Sequence, residues 1–133
     1  MERSKIMMKN LVDGLRTKYP EQFNDLTSIE CDDGWYELLD RLFAVVKHEI
    51  GKEDCFKWTQ IKEKFGGLRA YCSCSNDHIG GAIAMAECMS YITCEVTGEK
   101  GKLRKQRQGD DGQLMPAWMK TLCDEEAAKE GYV

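Results

Sequence analysis

Lys62, Lys64, Gly66, Gly67 and Arg69 fall together in the string Lys-Glu-Lys-Phe-Gly-Gly-Leu-Arg. Side chains alternate along an extended strand, so Lys62 and Lys64 share a face. Arg69 lies just past a glycine turn and can approach them. No Cβ shields the backbone N–H groups of Gly66 and Gly67, and concave N–H clusters bind anions. The Arg69 guanidinium matches two phosphate oxygens in a planar fork. The spacing therefore predicts a cradle for a phosphate or carboxylate. The same lysines would also serve a plain purpose, keeping an edge strand soluble. Aromatic rings beside cations suit a nucleobase with its phosphate. Of Trp35, Tyr36, Phe56, Trp58 and Tyr71, the hairpin residues Trp58 and Tyr71 are the expected stacking surfaces, and the others read as core.

Seven cysteines at irregular spacing leave one unpaired, which favours a reduced, cytosolic chain. Cys94-Glu95-Val96-Thr97-Gly98 has the form of a C-x-x-C-G knuckle with Thr97 in place of its second cysteine. Cys123-Asp124-Glu125-Glu126 has the same form with Glu126 in that place. A structural zinc site needs four ligands, and only Cys94 and Cys123 remain. Cys72, Cys74 and His78 offer two thiols and an imidazole without a fixed fourth ligand. The expectation is a region that folds without zinc, held by Trp118, Met119, Leu122 and Leu103. The basic run Lys100, Lys102, Arg104, Lys105 and Arg107 could grip nucleic acid or an acidic partner, or form a solvated loop. Only His48 and His78 are present, and no G-x-S-x-G, H-E-x-x-H or phosphate-loop string occurs. The chain reads as no enzyme, with a thiol- or metal-dependent activity left open.

The elements that must position these groups follow from periodicity. Ile6, Met7, Leu11, Val12, Leu15 and Tyr19 recur at helical spacing up to Pro20. Asp33 reads as the N-cap of a second helix, whose stripe of Trp35, Leu38, Leu39, Leu42, Phe43, Val46 and Ile50 stops at Gly51. Cys55 to Cys74 alternates as a hairpin turning at Gly66-Gly67. Asn76 or Asp77 caps a third helix, in which Ile79, Ile83, Ala86, Met89, Ser90 and Thr93 line one side. Its small residues Gly80, Gly81, Ala82, Ala84 and Ala86 predict close packing and a homo-oligomer.

A chain of 133 residues with 42% hydrophobic content has the size and composition of one folded domain. The predicted class is α+β: amphipathic helices on a small antiparallel hairpin or sheet, with a loop-rich, degenerate zinc-ribbon-like C-terminal region. Residues 1–93 form the core and 94–133 the appendage of a single domain. A net charge of −4 excludes a general nucleic-acid coat. No apolar run approaches the ~20 residues of a membrane span, and Met1 to Lys5 does not lead into a signal-peptide core.

Ile29 to Leu39, Ile61 to Tyr71, Cys94-Glu95 with Thr97-Gly98, and Trp118 with Thr121-Leu122-Cys123 together resemble a group of small bacteriophage-encoded proteins without an assigned activity. The likeness covers roughly residues 29–123, and K-E-K-F-G-G-L-R is its most specific part. It implies a C-terminal four-cysteine knuckle, from which this chain departs at Thr97 and Glu126. It also implies a protein that acts by binding, in the cytoplasm of an infected bacterial host. The expected function is sequestration of an anionic small ligand, a nucleotide immune signal, at Lys62, Lys64, Gly66, Gly67 and Arg69 with Trp58 or Tyr71. The alternative is an adaptor for nucleic acid or a host protein, using the 100–107 run and the knuckle remnant.

Overall fold

The computed structural model describes residues 11–51, 55–106 and 118–133. The fold is α+β. A three-stranded sheet, in order β1-β2-β3, carries two long helices, and a separate two-stranded hairpin follows. Among the described residues, no helix is long and apolar enough to cross a membrane.

The first segment is less regular than its periodicity suggests. A 3-10 turn at Leu11–Gly14 leads into a single α-turn, α1 (Leu15–Lys18), and Ile6 and Met7 lie outside the described residues. Val12, Leu15, Tyr19 and Phe23 still reach the core. Strand β1 (Ser28–Glu30) then runs parallel to β2 (Trp58–Lys64), with Ile29 opposite Ile61. Three residues without clean alternation gave this strand no signal.

Helix α2 spans Tyr36–Ile50, after a 3-10 turn at Asp33–Trp35. Asp33 does not cap it. Its Oδ1 accepts from the Val12 N–H at 3.2 Å, tying the N-terminal segment to the helix start. Trp35, Leu39, Leu42, Phe43, Val46 and Ile50 are buried as their stripe requires. Helix α3 (Asp77–Ser90) does have the expected cap: Asn76 Oδ1 accepts from Ile79 N–H at 2.9 Å. Ile79, Ala86 and Ser90 are buried and Ile83 is half-buried, but Met89 is exposed.

Strands β2 and β3 (Gly67–Cys72) pair antiparallel, Lys64 opposite Gly67. The turn is therefore Phe65-Gly66, not Gly66-Gly67. Both turn residues have left-handed φ, 54° and 85°, as a type I′ hairpin turn demands. Phe43 meets Tyr19, Phe23 and Trp58 at ring-centre distances of 5.9, 5.2 and 5.4 Å, and Phe56 closes on Trp58 at 5.0 Å.

Strands β4 (Lys102–Lys105) and β5 (Met119–Leu122) pair antiparallel, and α4 (Asp124–Glu130) follows. Their small core is Cys94, Leu122, Cys123 and Ala127, flanked by Val96 and Tyr132. Trp118 and Leu103, expected to hold this region, are 61% and 42% exposed. Docking onto the main core uses polar contacts as well as Leu103, whose side chain lies against Gly66 of the β2–β3 turn. Gly34 N–H donates to Glu95 O at 2.7 Å, Trp35 Nε1 to Thr93 O at 2.9 Å, and Thr121 Oγ1 to Gly66 O at 2.7 Å. A Cβ on Gly34 would lie 2.3 Å from the carbonyl oxygens of both Cys94 and Glu95. Gly34→Ala is thus expected to lower stability by roughly 1–3 kcal/mol, as overpacking against backbone does. Chemical denaturation measures this, and an unchanged midpoint would show that the docking contact is loose.

Candidate anion-binding face

Register decides which side chains of the sheet share a face. Ile61 pairs with Ala70 and Glu63 with Leu68, and the buried Ile61 and Leu68 mark that face as the inner one. The other face carries Lys62 directly opposite Arg69, Gln60 opposite Tyr71, and Lys64 opposite Gly67. The three predicted cations are therefore brought together, with the half-exposed Tyr71 beside them. Phe65, 63% exposed, extends the patch, and Lys64 Nζ lies 5.6 Å from its ring centre.

Arg69 is held in place. Its Nη1 donates to Leu68 O at 3.0 Å and Tyr91 Oη at 3.2 Å, and lies 3.4 Å from Glu87 Oε2. Nε and Nη2 make no bond among the described residues, which leaves one edge of the guanidinium fork open. Lys62 and Lys64 form no ion pair among the described residues. The parallel register with β1 also places the exposed Glu30 beside Lys62 on this face. Two ammonium groups without an ion pair and one braced fork edge can receive an anion with more than one oxygen.

The glycines play a different part from the one their sequence suggests. Gly66 N–H is already bonded to Glu63 Oε2 at 2.7 Å, so the turn holds a carboxylate of its own chain. A Cβ on Gly66 would lie 2.3 Å from Leu103 Cδ1, and one on Gly67 would lie 2.3 Å from the Tyr91 ring. Both glycines permit close approach of neighbouring elements rather than expose N–H groups. Trp58 is also corrected. It is fully buried, and its indole N–H donates to Gln22 Oε1 at 2.8 Å, so no ligand can stack on it. Trp35 and Phe56 are core as expected.

Lys102, Arg104 and Lys105 of the basic run lie on strand β4 rather than in a loop. Lys100 precedes it in an isolated bridge to Thr93, and Arg107 lies outside the described residues. Arg104 is consumed internally. It donates to Leu122 O at 2.8 Å and pairs with Asp124. Lys100, Lys102 and Lys105 are exposed, but Glu99, Asp124 and Glu125 line the same shallow hollow as Lys100 and Lys102.

Cys94, Thr97 and Cys123 lie together beneath the second hairpin. Burial works to raise the Cys94 thiol, but the Thr97 hydroxyl and the N–H groups of Cys123, Thr97 and Val96 bond its sulfur and hold it below the usual thiol value. Thr97 Oγ1 also lies 3.8 Å from Cys123 Sγ. A hydroxyl thus occupies the place where a third thiolate would stand, and Glu126 faces Lys129 at 3.6 Å. These donors do not fit a four-coordinate zinc. Among the described residues no group of three or more His, Cys, Asp or Glu could hold a metal ion, so Cys72, Cys74 and His78 do not converge. His78 lies 3.7 Å from Glu49 on α2 instead.

Two features carried no sequence signal. One is Tyr91, which braces Arg69 from beyond the end of α3. The other is Glu95, 5% exposed in the junction between the two cores, with Oε2 accepting from Asp32 N–H at 3.0 Å. Burial raises its carboxyl to about 7, with the charges of Asp32 and Glu63 adding to the effect and Lys120 opposing it. Compared with protein-family models, with curated proteins and with solved structures, the chain matches none.

Proposed function

We propose that this is a non-enzymatic binding protein whose outer sheet face takes an anionic small ligand carrying a planar ring, a nucleotide. The observation that carries the reading is the register pairing of Lys62 with Arg69, with Lys64 and the exposed rings of Tyr71 and Phe65 on the same patch. Phosphate oxygens would bridge the ammonium groups and the open Nε/Nη2 edge of Arg69. The base would lie on Tyr71 or Phe65, a contact worth roughly 1–3 kcal/mol where it forms. The resemblance to small phage-encoded proteins extends this to sequestration of a nucleotide signal in the cytoplasm of an infected bacterium.

The adaptor alternative is less well supported, because the basic run spends Arg104 on its own hairpin and faces three acids. Calorimetric titration with mono-, di- and cyclic oligonucleotides tests the proposal. At least one member should bind at micromolar concentration, and Lys62→Ala/Lys64→Ala should weaken it by at least about tenfold, since hydrogen bonds to charged groups contribute ~1.5–3 kcal/mol each. The melting temperature should barely move, because Lys64 is exposed, Lys62 is half-buried and neither forms an ion pair among the described residues. No binding by any nucleotide would refute the reading.

A further inference from the structure

Helices α2 and α3 leave an apolar groove between them on the surface. It has a volume of about 520 Å³. Leu38, Leu42 and Val45 of α2 face Ala82, Met85 and Met89 of α3 across it. Val45, Met85 and Met89 are 44%, 62% and 46% exposed, so an unusual share of methionine and aliphatic surface meets water. Helix α3 carries no charged side chain between His78 and Glu87, yet only Ile79 and Ala86 of that stretch are buried. A helix apolar on every side is normally covered on every side. Gly80 and Gly81 face open space, so α3 has no neighbour on its outward side.

The rim of the groove indicates what covers it. Glu37 and Arg41 stand one turn apart on α2, both exposed, and both line the groove. Residues at this spacing could pair with each other, but among the described residues neither forms an ion pair with any group. We propose that the groove seats a second copy of this chain, the two α2 helices lying antiparallel side by side about a two-fold axis that runs between them, level with the midpoint of Glu37 and Arg41. That operation sets Glu37 against the partner's Arg41, and Arg41 against the partner's Glu37. One residue pair thus yields two opposite-charge contacts, which is the self-complementarity an isologous interface requires. The exposed methionines are suited to the centre of such a contact, since their flexible thioethers fill irregular gaps.

Charge reversal distinguishes a second copy from any other occupant. Light scattering should give the wild-type chain twice its 15.2 kDa mass at tens of micromolar. Glu37→Arg alone should set Arg against Arg, and Arg41→Glu alone should set Glu against Glu. Each variant should weaken self-association at least about tenfold, and both should keep the wild-type melting transition as dilute monomers. Mixed in equal amounts they should re-form a dimer containing one of each, visible by native mass spectrometry. Met85→Glu, in the apolar centre, should also give a monomer. A wild-type mass of 15.2 kDa at every concentration overturns the proposal, as do single charge variants that remain dimeric or a mixture that fails to associate.

Discussion

Trp58→Ala is expected to remove about 3–5 kcal/mol of stability, the range for deleting a fully buried indole. Trp58 has no exposed surface and packs against Phe43 and Phe56, whose ring centres lie 5.4 and 5.0 Å away. Deleting the ring also strands a polar group. The buried Gln22 gives its amide to Phe43 O at 2.8 Å and takes the Trp58 indole N–H at 2.8 Å. Without that donor the Gln22 carbonyl oxygen stays desolvated and unpaired, a further cost of about 1–3 kcal/mol. Together these losses are comparable to the whole stability of a small domain. Trp58→Phe refills most of the volume but not the hydrogen bond, so it should fall between wild type and the alanine variant. Urea unfolding measures the series. A folded Trp58→Ala chain with unchanged midpoint and lost nucleotide binding would return Trp58 to the ligand site.

Glu95→Gln is expected to stabilise the protein by about 2–3 kcal/mol at pH 8 and to have little effect at pH 4.5. The carboxyl is raised from its ordinary 4.5 to about 7. The folded chain therefore keeps a proton that the unfolded chain releases between these values. Stability from this group is fully present below pH 4.5 and is lost as pH rises through 7. A displacement of this size corresponds to about 3 kcal/mol. Burial is the largest cause, and the charges of Asp32 and Glu63 add to it, while the Asp32 N–H bond and the Lys120 charge oppose it. Glutamine keeps an acceptor for the Asp32 N–H, bonded at 3.0 Å, while removing the buried charge. Urea midpoints at pH 5 and 8 check it. Equal pH slopes for variant and wild type would show that Glu95 ionises freely in the folded state.

The parts of the fold visible in the sequence are those set by local rules. Helix α2 announces itself through a 3.6-residue stripe, α3 through Asn76, and the β2–β3 hairpin through alternation around a glycine turn. Lys62 and Lys64 could be placed on one face because a period of two leaves no choice, whereas the hairpin register, Lys62 opposite Arg69, is what brings Arg69 to them. Parallel pairing of β1 with β2 could not be foreseen, since it depends on a partner some thirty residues away. The glycines misled for a physical reason. Gly66 and Gly67 look alike whether they expose N–H groups or admit Leu103 and Tyr91, and only the tertiary neighbours distinguish the two. Trp58 and Tyr71 likewise differ in nothing local, yet one fills the core and the other is 46% exposed. Asp33, a good capping residue by type, was drawn instead to the Val12 N–H.

The most direct test of the proposed binding face is to map the ligand residue by residue. Backbone amide NMR spectra of the intact chain would be recorded while the tightest-binding nucleotide of the titration panel is added. Perturbations should concentrate at Gln60, Lys62, Lys64, Phe65, Arg69 and Tyr71, with a smaller response at Tyr91 through its bond to Arg69. Perturbations confined to the α2–α3 groove or to strand β4, with the outer sheet face unmoved, would contradict the assignment of this face as the anion site.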